Sequence, residues 1–384
     1  MSDIGYNDNV SVSNRTFHIQ TASNIKKGSA RCEVFEQGKL ISTHNLEFER
    51  RRSFSENSLE SRVREIVSML HKETMDEIEL MFQISDKVKK LKHAPSNIKL
   101  GLIFLQNNLI KDAIEQFELA LSIDPDSGEA LNKLGLAYIK LGQNNTAMTY
   151  FKTALDKGYN YADVYHNLGL ALLNEKQHHK ALSNFQEAIK INPKYSQAQY
   201  NLAVAYLESI LLDKSENLLP PPSIRMERAN QLLNKLKSNI ESASGFEKIN
   251  SKVAEALNDK DLNTAINILI SNRDKVFPPE VDSLIGMDFY LKFMYGGRKL
   301  NTELIQKFED RLNSAIEKNN KYADLWNSLG IVHLIQCRNL FLQALSEFDK
   351  SLELNPSFDK ALKNKKLVEN DGKEFLILLR AILK

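Results

Sequence analysis

Apolar and polar residues alternate with a period of two from Arg15 to Phe48, and from there the chain changes to helical spacing. Phe17 and Ile19 alternate with His18 and Gln20, Cys32 and Val34 flank Glu33, and Leu40, Ser42, His44, Leu46 and Phe48 share one parity. Gln37-Gly38 supplies a hairpin turn between Phe35 and Leu40. The pattern predicts a three-stranded antiparallel β-meander over residues 15–52, preceded by a polar, disordered tail at 1–14. A sheet this small needs a cover on its apolar face. A helical connector over 53–93 offers one. Asn57 and Glu60 form a box-like start, and Leu59, Val63, Ile66 and Leu70 mark a stripe. The stripe slips near Lys72–Glu77 and resumes with Ile78, Met81, Ile84, Val88 and Leu91, which fits one bent helix or two.

Beyond Ala94 the helical pattern repeats itself. Leu100-Gly101, Leu134-Gly135, Leu168-Gly169 and Leu202-Ala203 recur every 34 residues. Phe104, Tyr138, Leu172 and Tyr206 follow in the same frame. Then come Ala113, Ala147 and Ala181, Phe117, Phe151 and Phe185, and Ala120, Ala154 and Ala188, with Pro125 and Pro193 closing two units. Glycine inside a helix costs about 1 kcal/mol against alanine, so Gly101, Gly135 and Gly169 need a packing reason. Close approach to Ala113, Ala147 and Ala181 on an antiparallel second helix is the reason expected here. The breaks at Asn107-Asn108, Gly142-Gln143 and Gln177-His178 separate the two helices of each unit.

This spacing resembles the tetratricopeptide repeat. The resemblance implies a mostly α fold: a right-handed α-solenoid of helical hairpins, here joined to the small N-terminal antiparallel β-meander. It assigns repeats 1–4 to residues 94–245, the fourth carrying a proline-rich insertion, Leu218-Leu219-Pro220-Pro221-Pro222. Position 215 is Ser in place of the expected Ala, and the stripe Ala229, Leu233, Leu236 resumes the frame fourteen residues late. Residues 246–322 read as divergent helical repeats, with Ala256 spaced nine from Ala265 and a break at Gly296-Gly297. The motif returns over 323–384 as a final repeat with C-terminal capping helices. Trp326, Leu329 and Gly330 are followed by Ala344, Phe348 and Pro356, the alanine coming two residues late, which implies a longer turn. Phe375–Leu383 forms a last apolar helix.

In this family the first helix of each hairpin lines a concave groove. Carried onto this chain, the groove takes Ile98, Leu102 and Leu105 from repeat one, with Lys99 and Gln106 at its edge. Repeat two adds Asn132, Lys133, Leu136 and Ile139, and repeat three His166, Asn167, Leu170 and Leu173. Repeat four contributes Tyr200, Asn201, Val204 and Leu207. An aliphatic floor with polar edges suits an amphipathic helix or an apolar peptide. The floor is open to a partner or covered by the chain's own elements, the C-terminal helix being one candidate. The Lys and Asn clamp that chaperone-binding relatives aim at a terminal carboxylate is replaced by Ile98 and Leu102, which disfavours an acidic C-terminal peptide. Asn167 and Asn201 are candidates to bind a peptide backbone, since an amide both donates and accepts.

Composition narrows the partner. With 51 basic and 49 acidic residues the net charge is +2, which points away from nucleic acid. Cys32 and Cys337 read as reduced thiols. The N-terminus lacks a signal-peptide pattern and no apolar run is long enough for a transmembrane segment, so a cytoplasmic location is expected. His178-His179 reads as a solvated turn without a third metal ligand, and Arg50–Arg52 before Ser53 as a solvated helix entry or an anion patch. No phosphate loop, H-E-x-x-H, C-x-x-C or G-x-S-x-G is present. The reading is a non-enzymatic scaffold for a protein partner, without metal, cofactor or catalytic residues. Self-association, giving a homo-oligomer, and recruitment of substrate to an enzyme complex are the alternatives.

Overall fold

The computed structural model describes residues 3–48, 56–212, 219–239, 245–277, 285–296, 302–318 and 323–370. The chain forms two compact units, one made of Met1–Lys90 with Val281–Lys384 and the other of Leu91–Glu280. The division runs through the 246–322 segment, which the sequence pattern treated as one body.

The first unit opens with a four-stranded antiparallel sheet in sequential order: β1 (Gly5–Val12), β2 (Arg15–Asn24), β3 (Ser29–Glu36) and β4 (Lys39–Glu47). The expected meander has three strands and a disordered tail; the tail is instead β1. Ser13 and Asn14, at φ 49° and 59°, make the tight turn into β2. β1 escapes the apolar pattern because Val10 is its one buried hydrophobe, and register with β2 rather than burial fixes it. Gln37 and Gly38, at φ 49° and 77°, form the β3–β4 turn where the sequence places it.

One continuous helix, α1 (Glu56–Leu91), follows. Val63 and Val67 join Ile4, Ile25 and Ala30 in the core between helix and sheet, and Phe82 packs on Phe17 of β2 at 5.4 Å. The apparent slip in the apolar stripe is filled by two buried polar residues, His71 and Thr74. Thr74 donates to the carbonyl of Leu70 at 2.8 Å. His71 Nδ1 lies 2.8 Å from Thr21 Oγ1, which donates to Cys32 Sγ, and His71 Nε2 lies 3.0 Å from Asp8 Oδ2. The stripe is unbroken; its middle is satisfied by hydrogen bonds instead of apolar contact.

The same unit contains α12 (Ile285–Tyr295), α13 (Thr302–Lys318), α14 (Ala323–Leu354) and a helix at 359–370. Lys292, buried, is held by Glu77 of α1 and Asp288, each at 2.9 Å. The final repeat expected from 323 does not form a hairpin: α14 is one helix of 32 residues. The reason lies in the residues between its halves. Arg338-Asn339-Leu340-Phe341-Leu342-Gln343 holds neither glycine nor proline and is dominated by good helix formers. The apolar helix expected at 375–383 lies outside the described residues.

The second unit is a stack of hairpins. Its paired helices are α2 (Ala94–Gln106) with α3 (Ile110–Ile123), α4 (Gly128–Lys140) with α5 (Asn144–Asp156), and α6 (Ala162–Asn174) with α7 (His178–Ile191). Asn108, Gly142 and Lys176, at φ 58°, 75° and 58°, turn the chain between partners. A fourth pair, α8 (Ser196–Leu212) and α9 (Pro222–Asn239), closes after the insertion, and Ala229, Leu233 and Leu236 are buried as the resumed frame requires. Pro222 takes the first position of α9, where its missing N–H costs nothing. A fifth pair, α10 (Phe246–Asn258) and α11 (Leu262–Val276), buries Ala256, Ala265 and Leu269.

The mid-helix glycines meet phenylalanine, not the alanines expected. A Cβ added at Gly135 would lie 2.5 Å from Cε1 of Phe151, and Gly101 and Gly169 stand in the same way against Phe117 and Phe185. Each ring therefore enters its own hairpin, and Phe117, Phe151 and Phe185 are all fully buried. Gly135→Ala gains about 1 kcal/mol of helix propensity but forces the Phe151 ring aside, at a cost of about 1–3 kcal/mol. The expected outcome is a net loss of stability, read as a lower urea midpoint at unchanged slope; an unchanged or raised midpoint would count against this contact.

Candidate functional site

The first helices α2, α4, α6 and α8 bring the predicted groove residues onto one face, but the four repeats do not present them equally. Leu102, Leu136 and Leu170 are partly exposed, as are Lys133 and Ile139. Ile98, Leu105 and Leu173 are buried beside them. In repeat four, Tyr200, Asn201, Val204 and Leu207 are all buried. α11 packs against α8, and the Tyr200 hydroxyl donates to the carbonyl of Leu269 at 2.7 Å. The Tyr200 ring lies between Phe246 and Phe277, with centroids at 6.2 and 5.3 Å. The groove is thus open over three repeats and covered over the fourth, and α11 is the cover. Residues 201–209 of α8 are buried without exception, which is why the helix is apolar on every side.

The polar groove residues are bound to one another. Asn132 donates to Asp163 Oδ2 at 2.7 Å and accepts from Asn167 at 3.0 Å. Asn201 donates to His166 Nε2 at 2.8 Å, and the Tyr195 hydroxyl lies 3.3 Å from His166 Nδ1. A second ladder runs from Asn174 through Asn144 to Glu175, at 3.0 and 2.9 Å. The amides expected to bind a peptide backbone therefore tie repeat to repeat. The sequence pattern missed Asp163 and Tyr195, whose role needs the stacking geometry. It also missed Arg273 of α11, whose Nε is buried and has no hydrogen-bond partner among the described residues. His178 was expected in a solvated turn. It is the buried first residue of α7, with Nε2 3.6 Å from Glu208, while His179 is exposed.

The electrostatics follow from burial. His166 is pushed down to about 4, mainly because burial disfavours its charged form; the Asn167 amide partly offsets this and Arg273 adds a smaller push. With Asn201 donating to Nε2, the proton sits on Nδ1 facing Tyr195, and a second proton would meet an amide N–H. Burial raises the Tyr200 phenol above its ordinary value. Burial alone would raise Glu208, but nearby His178 and the hydrogen-bonded Lys176 ammonium outweigh it and hold the carboxyl below the usual range.

Three family models fall on this stack: residues 101–142 match a TPR repeat, and 129–157 and 162–195 match the tetratricopeptide repeat. Residues 101–157 and 162–195 are tetratricopeptide repeats. The repeats so matched are those with the Gly–Phe contact. No curated protein matches the sequence. Similar solved structures include MamA, at 21% identity and TM-score 0.34 over 46% of this chain and 93% of that one. YrrB, described as a TPR protein with an unusual peptide-binding site, gives 16% identity and TM-score 0.35 over 55% and 97%. PilF of Pseudomonas aeruginosa gives 15% and 0.36 over 61% and 95%. None of these likenesses bears on the partner of this chain.

His166 makes the repeat stack sensitive to acid. Its value is about 6.5 in an unfolded chain and about 4 when folded, so between those pH values the unfolded state binds the extra proton. The stability held above pH 6.5 is lost as pH falls through about 4, by roughly 3 kcal/mol for this group. Urea titrations from pH 7.5 to about 4 should show this loss in the wild type and a shallower one in His166→Gln. Parallel curves for the two proteins would contradict the assignment.

Proposed function

We propose that the chain is a non-catalytic scaffold that binds a protein segment, an amphipathic helix or an apolar extended peptide, along the first-helix face of repeats one to three. One observation carries this reading. Leu102, Leu136 and Leu170 hold the same position in α2, α4 and α6 and stay partly exposed, while their equivalent Val204 is buried in α8, against which α11 packs. A contiguous aliphatic ladder open to water marks a contact surface, and burying it is worth about 25 cal/mol per Å². The occupant spans three repeats and stops at α8, where α11 takes the place a longer ligand would need. The balanced charge of the chain favours a protein ligand over nucleic acid. Among the described residues no helix is long and apolar enough to cross a membrane.

The test is a selection of amphipathic helical peptides on the intact chain, followed by titration of the selected peptide against Leu136→Glu with Leu170→Glu. Removing about 100 Å² of apolar contact should weaken binding more than about tenfold, with the helical circular-dichroism signal retained. Peptides that bind the double variant as well as the wild type would place the contact surface elsewhere.

A further inference from the structure

α14 contains both halves of the contact that closes the other hairpins, but holds them apart. In repeats one to three a glycine on the first helix admits a phenylalanine sixteen residues on, from the second. Here Gly330 and Phe348 stand in one straight helix, eighteen residues and so about 27 Å apart. A side chain placed at Gly330 would meet nothing within 4 Å among the described residues. The first half of α14 is packed: Leu325, Leu329, Val332 and Ile335 are buried. The second half is only partly covered: Ala361 of the 359–370 helix is buried and Lys365 of that helix lies 2.6 Å from Asp349. No residue from 336 to 354 is buried, although this stretch contains Leu345, Phe348 and Leu352, and Leu340, Leu342 and Leu354 are 65%, 48% and 90% exposed. In the closed hairpins the alanine and phenylalanine equivalent to Ala344 and Phe348 are completely buried.

We propose that two copies of the chain pair antiparallel through α14, with Phe348 of each seated at Gly330 of the other. A two-fold axis at Asn339 brings these positions together, because Asn339 lies nine residues from each. The contact then occurs twice, as an isologous interface demands. The straight helix favours this over closure within one chain, which would have to break the helix inside Arg338–Gln343. Reciprocal packing would cover roughly 500 Å² per copy, about 1,000 Å² in total, which reaches the lower bound of a specific interface. The repeat left incomplete in one chain is completed by the second.

The experiment uses the full chain. Light scattering after size exclusion should give twice the chain mass of 43.8 kDa, falling toward the monomer on dilution. Gly330→Leu and Phe348→Ser should each raise the dimer dissociation constant by at least about tenfold without loss of helical signal, since Gly330 has open space within one copy among the described residues and Phe348 is only partly covered. A cysteine pair, Asn327→Cys with Ser351→Cys in a Cys337→Ser background, should oxidise to a covalent dimer. A monomer at every concentration, a dimer indifferent to both substitutions, or a bridge formed within one chain would each overturn the proposal.

Discussion

One constraint runs through the helical stack: a phenylalanine ring can enter a hairpin only where the facing helix lacks a Cβ. The spacing of sixteen residues between Gly135 and Phe151 holds the last half of α4, a left-handed turn at Gly142 and the first half of α5. The missing Cβ sets the approach of the two helices, and the ring fills the space thus opened. The alanines Ala113, Ala147 and Ala181, buried without exposure, are small because the helices are close. Close approach is also what lets neighbouring hairpins stack, since each buries the apolar remainder of the last. The fourth pair forms without this contact. Repeat four has Ala203 in place of glycine and tolerates a long insertion before α9.

This explains what could be read from the sequence and what could not. The three regular repeats were legible because their spacing encodes a stereochemical requirement that a chain meets in one way. Only the identity of the facing residue, ring rather than methyl, needed coordinates. The β module was legible where apolar residues alternate and illegible in β1, whose inward positions include Asp8 and whose place is fixed by pairing. The same cause hid the continuity of α1. His71 and Thr74 occupy core positions as polar residues, so a reading built on hydrophobic period sees a slip where there is none. α14 misled for the opposite reason. Its motif residues are those of a repeat, but motif residues do not make a turn, and Arg338–Gln343 favours helix.

The groove shows the limit of carrying positions over from a family. Tyr200, Asn201, Val204 and Leu207 sit where groove residues should, yet the chain itself fills that part of the groove. Nothing periodic announces this, because the cover is made by α11 returning onto α8 through Tyr200, a contact 69 residues away in sequence. The polar positions were misjudged in a related way. Asn132 and Asn167 resemble ligand-binding amides, but their nearest polar partners are in the next repeat.

The internal use of these amides shapes what the open surface can recognise. A ligand competing for Asn132 or Asn167 would have to break a hydrogen bond already made inside the protein, so the exchange gains little. Leu102, Leu136 and Leu170 impose no such cost; covering them only removes apolar surface from water. In the proposed mode of binding, affinity along the groove would come from the aliphatic ladder, while the amide hydrogen bonds tie α4 to α6. Selectivity would then be left to shape and to the polar edge at Lys133, whose ammonium lies 4.0 Å from Asp163. Under the proposed function such a surface would discriminate between ligands by the interval between their apolar side chains, an interval related to the hairpin spacing that the Gly–Phe contacts help to set.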